Sequence, residues 1–515
     1  MKYSMSRERE KRNAGISYDA AVAGMVLLEN DGALPISRKG EIALYGVGAI
    51  RTVCGGTGSG DPFNGGLSGG GDALVDQSPR YHINILPAFQ AAGYRIVNEK
   101  ELQAIAEEYD RQKRQVADQV MGTFMFPEPN LDEETVKQTA AACNTAIMIL
   151  SRNSGEGTDR SMRKSFGDIE LGDYRLAARE KHNLDLLRKY FATLIIVLNV
   201  GGVVDITEIK QYKPNSILLM GLAGQEGGVA VRDVLNGTVT PSGKLTDTWA
   251  ACYEDYPASA TFAYNDHNVE LEKYEEDIYV GYRYFDSFQK TPVYPFGYGK
   301  SYTEFEVCTE KAVAEEKTAR FWVRVSNKGN MPGQEVVQIY VSDRFASRTR
   351  PVMELAAFER IPLQPHEEKE IICHISPSQL AFLDKDMKWK IEKGDTISFS
   401  VSYEGRIKDD FCYLDIPEEV LQQPYDKEML KLDKKYSFQT SDYVLFTPET
   451  YWYPRPGTGY SDKSPDWQQT YFSRFRLDVK PLPGLVAISQ SANNPYQSIS
   501  LIIGKYEQKS VESDS

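Results

Sequence analysis

The feature that most constrains this chain is a set of short, almost uninterrupted apolar runs. "TAIMILS" (145–151), "TLIIVLNVG" (193–201) and "NSILLMGLAG" (215–224) show no polar alternation. A strand with one wet face alternates apolar with polar residues, so a strand without alternation must be covered on both sides. Helical patterns lie between these runs: "ELQAIAEEYDRQKRQVADQV", "RLAAREKHNLDLLRKYFA" and "QEGGVAVRDVLNG", the last stopped by Gly237. "EIALYGVGA" reads as a further strand, and "ILPAFQAAGYRIVNE" as a helix followed by a strand. This alternation predicts an α/β domain over 19–250, a mostly parallel sheet with helices on both faces. Residues 1–18 are polar and read as a helix start or a loose arm. From Tyr18, the spacing of Ala21, Met25 and Leu28 predicts a helix that runs on to Gly32 and Pro35.

The period changes downstream. Residues 251–302, rich in Tyr, Phe, Pro and Gly, read as a packed connector. Over 303–415, "RFWVRVSNKG", "GQEVVQIYVSD", "KEIICHIS", "MKWKIEKGD" and "TISFSVSYEG" are short strands punctuated by turn residues, which predicts an all-β sandwich. Residues 416–515 are rich in Tyr, Pro and Ser without a sustained period, and receive no fold.

Charge narrows the function. A net charge of -14 repels phosphates, so neither nucleic acid nor an anionic membrane is expected as a partner. No apolar run approaches the ~18 residues of a membrane span, and the charged start "MKYSMSREREKRNAG" has no signal-peptide core. The six cysteines are scattered without a CxxC pair, so they read as reduced thiols rather than zinc ligands. The expectation is a cytoplasmic protein without metal or cofactor.

In open α/β sheets, ligands sit beyond the carboxyl ends of the strands. Four glycine-rich loops leave such ends: "GGTGSGD" (55–61), "SRNSGEGTDR" (151–160), "NVGGVVD" (199–205) and "GLAGQEGG" (221–228). The first lacks GxGxxG and is followed by no GK[ST], which argues against a nucleotide site. In the second, Gly155 and Gly157 flank Glu156. They remove side-chain bulk, so a ligand can approach this carboxyl closely. A carboxyl in such a place can serve as a general acid. Asp159 and Arg160, an adjacent ion pair, would support the loop. Glu226 reads as first-turn helix chemistry.

Taken in order, "GMVLLENDGALPI", "GGTGSGD", "SRNSGEGTDR", "GQEGGVAVRDVLNGTVTPSGKLTDTW", "EDIYVGYRYFD", "PVYPFGYGKSYTEFE" and "RPVMELAAFERIPLQPHEEKEI" resemble glycoside hydrolase family 3, the β-glucosidase and β-xylosidase group. The resemblance covers roughly 18–412. It implies that 19–250 is the family's α/β sandwich domain and that 303–415 is its fibronectin type III-like domain. It further implies a β-linked glucoside or xyloside substrate, a retaining mechanism, and Glu156 as the general acid/base.

The family adds a (β/α)8 barrel, which carries an Asp nucleophile in a Ser-Asp-Trp context. Here the sandwich domain comes first, as in the branch with reversed order. Only about 100 residues follow 415, whereas a barrel takes about 250. The nearest similar string, "SPDWQQ", has an intervening Pro465 and no apolar strand before it, which argues against Asp466 as the nucleophile. The expectation is therefore a β-glycosidase polypeptide lacking its barrel and inactive or weak alone. A barrel-bearing partner chain would complete it, and the uncovered face would favour self-association. The alternative is a non-catalytic carbohydrate-binding or interaction remnant of such an enzyme.

Overall fold

The computed structural model describes residues 8–56, 82–115, 126–152, 174–262, 276–315, 318–343 and 349–383, together with isolated positions and short strands elsewhere. In chain order the first domain comprises α1 (Glu8–Gly24), β1 (Val26–Asn30), β2 (Glu41–Tyr45), α2 (Ile85–Ala91), β3 (Arg95–Ile96), α3 (Glu99–Gln115), α4 (Glu133–Ala142), β4 (Thr145–Ser151), α5 (Ala178–Tyr190), β5 (Thr193–Asn199), α6 (Ile206–Lys210), β6 (Ser216–Leu219) and α7 (Gly227–Leu235). Six strands form one sheet in the order β1-β6-β5-β4-β2-β3. All pairs are parallel except β1 with β6.

Both faces of this sheet are covered, as the unbroken apolar runs require. Ala146, Met148 and Leu150 of β4 face one cluster, with Val136 of α4, Leu184 and Leu187 of α5 and Ile209 of α6. Ile147 and Ile149 face the other, with Phe89 of α2, Leu102 of α3 and Val231 and Val234 of α7. Successive strand residues point to opposite sides, so a strand that feeds two cores has no place for a polar residue.

The expected helix through Met25 and Leu28 is corrected by the structure. The described helix, Glu8–Gly24, occupies the expected helix start or arm and stops at Gly24; Val26–Asn30 is instead an antiparallel edge strand on β6. Val26 and Leu28 enter one core, Met25 and Leu27 the other. Four consecutive apolar residues satisfy a doubly covered strand as well as a helix, and spacing alone does not separate the two.

The second domain is a pair of antiparallel sheets. Strands β7 (Phe305–Glu315), β8 (Thr318–Asn327), β9 (Gly333–Asp343), β10 (Glu354–Leu363) and β11 (Glu368–Ile375) are joined by Thr396–Tyr403 and Cys412–Asp415. One sheet is ordered β11-β8-β7; the other places β9 between β10 and Thr396–Tyr403. Phe321, Val323 and Val325 of β8 alternate inward against Val337, Ile339 and Val341 of β9.

The two domains meet across a buried seam. Lys244 Nζ lies 3.0 Å from Glu335 Oε1 and donates to Gly299 O at 2.8 Å. Its side chain is 6% exposed and that of Glu335 is 0%. Gln334 N donates to Ser242 Oγ (3.1 Å), and Tyr282 packs edge-on to Tyr340. Beyond 416, Leu485–Gln490 pairs antiparallel with Ile499–Gly504.

Candidate active site

The chain runs from β2 outward to β3, then crosses back to place β4 on the other flank of β2. The strand order therefore reverses between β2 and β4. A crevice opens at the carboxyl ends of such a pair, because the two connections leave in opposite directions.

The turn Gly46–Ala49 closes against the end of β4, and its glycines make this possible. Gly46 has φ +94, and a Cβ there would stand 2.1 Å from Ile149 O. A Cβ on Gly48 would stand 2.0 Å from Ser151 Oγ. Only hydrogen fits at either position.

Asn199 knits this rim together. It ends β5, is 0% exposed, and uses its whole amide. Its Oδ1 accepts from Val53 N (2.8 Å) and Ser151 Oγ (3.1 Å); its Nδ2 donates to Val53 O (2.9 Å) and Gly221 O (2.8 Å). One side chain thus holds together the ends of β4 and β5, the loop after β2 and the loop after β6. Asn84 accepts from Thr52 N (2.9 Å), and Cys54 O accepts from Gly224 N (3.0 Å). Thr52–Cys54 and Ile83–Asn84 lie on either side of the glycine-rich residues 57–81, and both are fixed to the rim.

The two described stems that flank residues 153–173, the sequence around Glu156, are also fixed. At the first stem, Arg152 buries a two-pronged pair with Glu180, Nη1 to Oε1 at 2.6 Å and Nη2 to Oε2 at 2.9 Å. Glu180 also accepts from Ala177 N (2.8 Å) in the first turn of α5. At the second stem, Tyr174 O accepts from Asp205 N (2.7 Å) and Leu176 N donates to Glu208 (2.8 Å). The Tyr174 ring packs edge-on against Tyr253 and Tyr256. A third carboxyl, Glu128, accepts from Val47 N with both oxygens (3.0 and 3.1 Å). Desolvation first, then the Glu180 charge, push it up to about 8, against the pull of the Val47 N–H and Arg152.

Glu156, Asp159 and Arg160 lie outside the described residues, as does Asp466. Glu226 immediately precedes α7 and is buried, with no side-chain capping bond. Among the described residues, no group of three or more His, Cys, Asp or Glu could hold a metal ion. Asn199, Arg152 with Glu180, and Glu128 escaped the sequence reading. A polar residue closing an otherwise apolar strand was the available signal for Asn199.

The profile of the glycosyl hydrolase family 3 C-terminal domain matches residues 25–302, more than half of the chain. The chain belongs to glycosyl hydrolase family 3. A fibronectin type III-like domain matches residues 335–402. Among family 3 relatives, β-glucosidase A of Butyrivibrio fibrisolvens is 34% identical over 440 residues, covering 75% of this chain and 49% of its own length. The β-glucosidase of Ruminococcus albus is 31% identical over 410 residues, covering 78% of this chain and 40% of its own length. Among solved structures, β-glucosidase 3B from Thermotoga neapolitana in complex with glycerol superposes with a TM-score of 0.68 at 33% identity. That match covers 79% of this chain and 54% of that one. The chain thus spans about half the length of the family 3 proteins it matches.

Proposed function

We propose that this chain supplies the general acid/base of a retaining β-glycosidase acting on β-glucosides, and that Glu156 is the proton donor. The observation that carries this reading is the fixing of the two residues that flank 153–173. Arg152 on one side is held by Glu180 and Tyr174 on the other by Asp205, beside the crevice where the strand order reverses. The family 3 membership and the β-glucosidase names of the relatives support it.

In such a mechanism one carboxylic acid protonates the leaving oxygen. A second carboxylate, about 5–5.5 Å away, attacks the anomeric carbon; the first then deprotonates the water that hydrolyses the glycosyl–enzyme ester. Glu156 takes the first role, with Asp159 and Arg160 shaping its loop. The nucleophile is the one that the family carries on its barrel, a domain not recognisable in these 515 residues. The cellular setting is the cytoplasm; no described helix is long and apolar enough to cross a membrane.

The test is leaving-group dependence in the barrel-completed enzyme. Glu156→Gln is expected to slow alkyl β-glucosides by about 10²–10⁴-fold, the usual worth of general acid catalysis. It should slow the first step far less on nitrophenyl β-glucosides, whose leaving group needs no proton. Equal losses on both substrates would remove Glu156 from the acid role. The second reading is a non-catalytic carbohydrate-binding remnant. Sugar binding without turnover in the presence of the barrel would support it.

A further inference from the structure

Helix α1 is held on the first domain by less than its length suggests. Of its 17 residues, only Ala14 and Ala21 are buried. Tyr18 and Val22 pack, half-buried, against the cluster that holds Val231 and Val234 of α7. Two buried methyl groups bring little hydrophobic stabilisation. Gly15 stands exposed in mid-helix and weakens it further, because glycine is a poor helix former. Glu10 Oε2 is buried without a hydrogen-bond partner, so docking takes water from one carboxylate oxygen and gives nothing back. The far end of the helix is pinned: Arg360 donates to Ala23 O (3.3 Å) and Gly243 N to Met25 O (3.1 Å).

The specific tie lies at the middle of the helix. Tyr18 Oη donates to Asp233 Oδ2 of α7 (2.8 Å). The other oxygen of Asp233 accepts from Arg232 Nε (2.8 Å) and Nη2 (2.6 Å), and Arg232 Nη1 reaches Ala88 O of α2 (3.2 Å). The hydroxyl that docks α1 therefore joins a network that crosses α7 to α2. Next to it, Ser17 backs onto the loop after β6. A Cβ on Gly224 would stand 3.2 Å from Ser17 Oγ. Gly224 is also the residue that ties this loop to the rim, through its N–H on Cys54 O (3.0 Å), and the following Gln225 O accepts from Ile83 N (2.9 Å). One short stretch of α1 thus touches both α7 and the rim loop.

We propose that α1 is a strap on the carboxyl rim of the sheet: it undocks from α7 as a unit, pivoting at Gly24, while the sheet stays folded, and its docking and the closure of residues 221–228 on Cys54 are one event. Ser17 against Gly224 and Tyr18 on Asp233 carry the coupling. An element with few buried apolar contacts opens at a lower free energy than the core it covers, which places α1 at the soft end of this domain. By linkage, whatever binds only the closed rim favours docked α1, and docked α1 favours its binding to the same degree. The strap stands whether or not the acid/base assignment of Glu156 does.

Hydrogen–deuterium exchange of the full chain tests it, read on peptides spanning residues 8–24, 221–228 and 193–199, the last being β5. In the wild type, protection of the first two should lie about 100-fold or more below that of β5. Two variants push the strap in opposite directions. Gly15→Ala adds a methyl where nothing lies within 4 Å, and should raise protection of 8–24 and of 221–228 about fivefold. Tyr18→Phe should lower both about two- to tenfold, the worth of one hydrogen bond. Neither should move β5. Protection of α1 equal to that of β5 in the wild type would overturn the undocking. A variant that moves α1 and leaves 221–228 unchanged would overturn the coupling, and so would a Tyr18→Phe loss shared equally by β5, because Tyr18 would then support the whole core.

Discussion

Two buried ion pairs divide the labour of this molecule. Arg152–Glu180 stands at the carboxyl rim of the sheet, with side chains 6% and 1% exposed. Lys244–Glu335 stands in the seam between the domains, 6% and 0% exposed. The chemistry is nearly the same, but the geometry is not. Arg152 meets its partner as a planar fork, and Glu180 also caps α5, so the pair fixes the orientation of one loop stem. Lys244 is a point charge that reaches Gly299 O as well as Glu335, so it binds two domains without fixing a direction. The rim pair serves local shape; the seam pair serves cohesion.

The largest expected effect separates these roles. Glu335→Leu leaves Lys244 buried without its partner and should cost about 3–5 kcal/mol. It should also split one calorimetric unfolding transition into two. The double change Lys244→Met with Glu335→Leu should recover most of the loss, because a buried pair and its apolar replacement are often of similar stability. A single intact transition in Glu335→Leu would show that the remaining contacts, Tyr282 with Tyr340 and Gln334 N with Ser242, suffice to hold the seam.

Arg152→Ala should fall toward the lower end of the same range, about 3 kcal/mol, because Glu180 keeps the Ala177 N–H. Its mark should be local. Proteolysis between 152 and 174 should accelerate while the second domain melts unchanged. Arg152→Lys should restore little, since an ammonium cannot reproduce the fork.

Asn199→Ala comes next, at about 1–3 kcal/mol for each buried group left without a partner. Exchange at Val53 should rise with it; an unchanged Val53 would break the claim that Asn199 is the hub of the rim. The smallest effect is a pH slope at the seam. Desolvation raises Asp286 to about 6 from an ordinary 3.8. Its proton therefore favours the folded state, and that contribution fades as pH rises from about 4 to 6. Asp286→Asn should flatten this slope, which melting temperatures across that range will show.

The sequence made the sheet legible where one strand feeds two cores. "TAIMILS" is β4 from end to end, and "QEGGVAVRDVLNG" contains α7 with Gly237 at φ +69 just beyond it. It misled at "MVLLEN", where an edge strand is apolar on both faces, and it did not show α4 or β10. The candidate site was legible only as loops. Its supports join residues far apart in the chain: Val53 with Asn199, Val47 with Glu128, Arg152 with Glu180. Local periodicity carries no trace of such pairs, because they exist only once the strand order has brought the loop ends together.

The same distinction applies to the exposed apolar side chains of the connector. Phe288 (54%), Val280 (47%) and Tyr274 (80%) stand out in solvent, and contiguous exposed apolar surface commonly meets a partner. Concentration-dependent sedimentation would show whether that partner is a second copy.

The most direct measurement is turnover of an aryl β-glucoside by this chain, alone and mixed with the separately expressed barrel half of a family 3 relative. The account predicts little or no turnover by the chain alone, turnover in the mixture, and its loss when the chain carries Glu156→Gln. Turnover by the chain alone at full rate and unchanged by Glu156→Gln, or a mixture that binds glucoside but never cleaves it, would contradict the account.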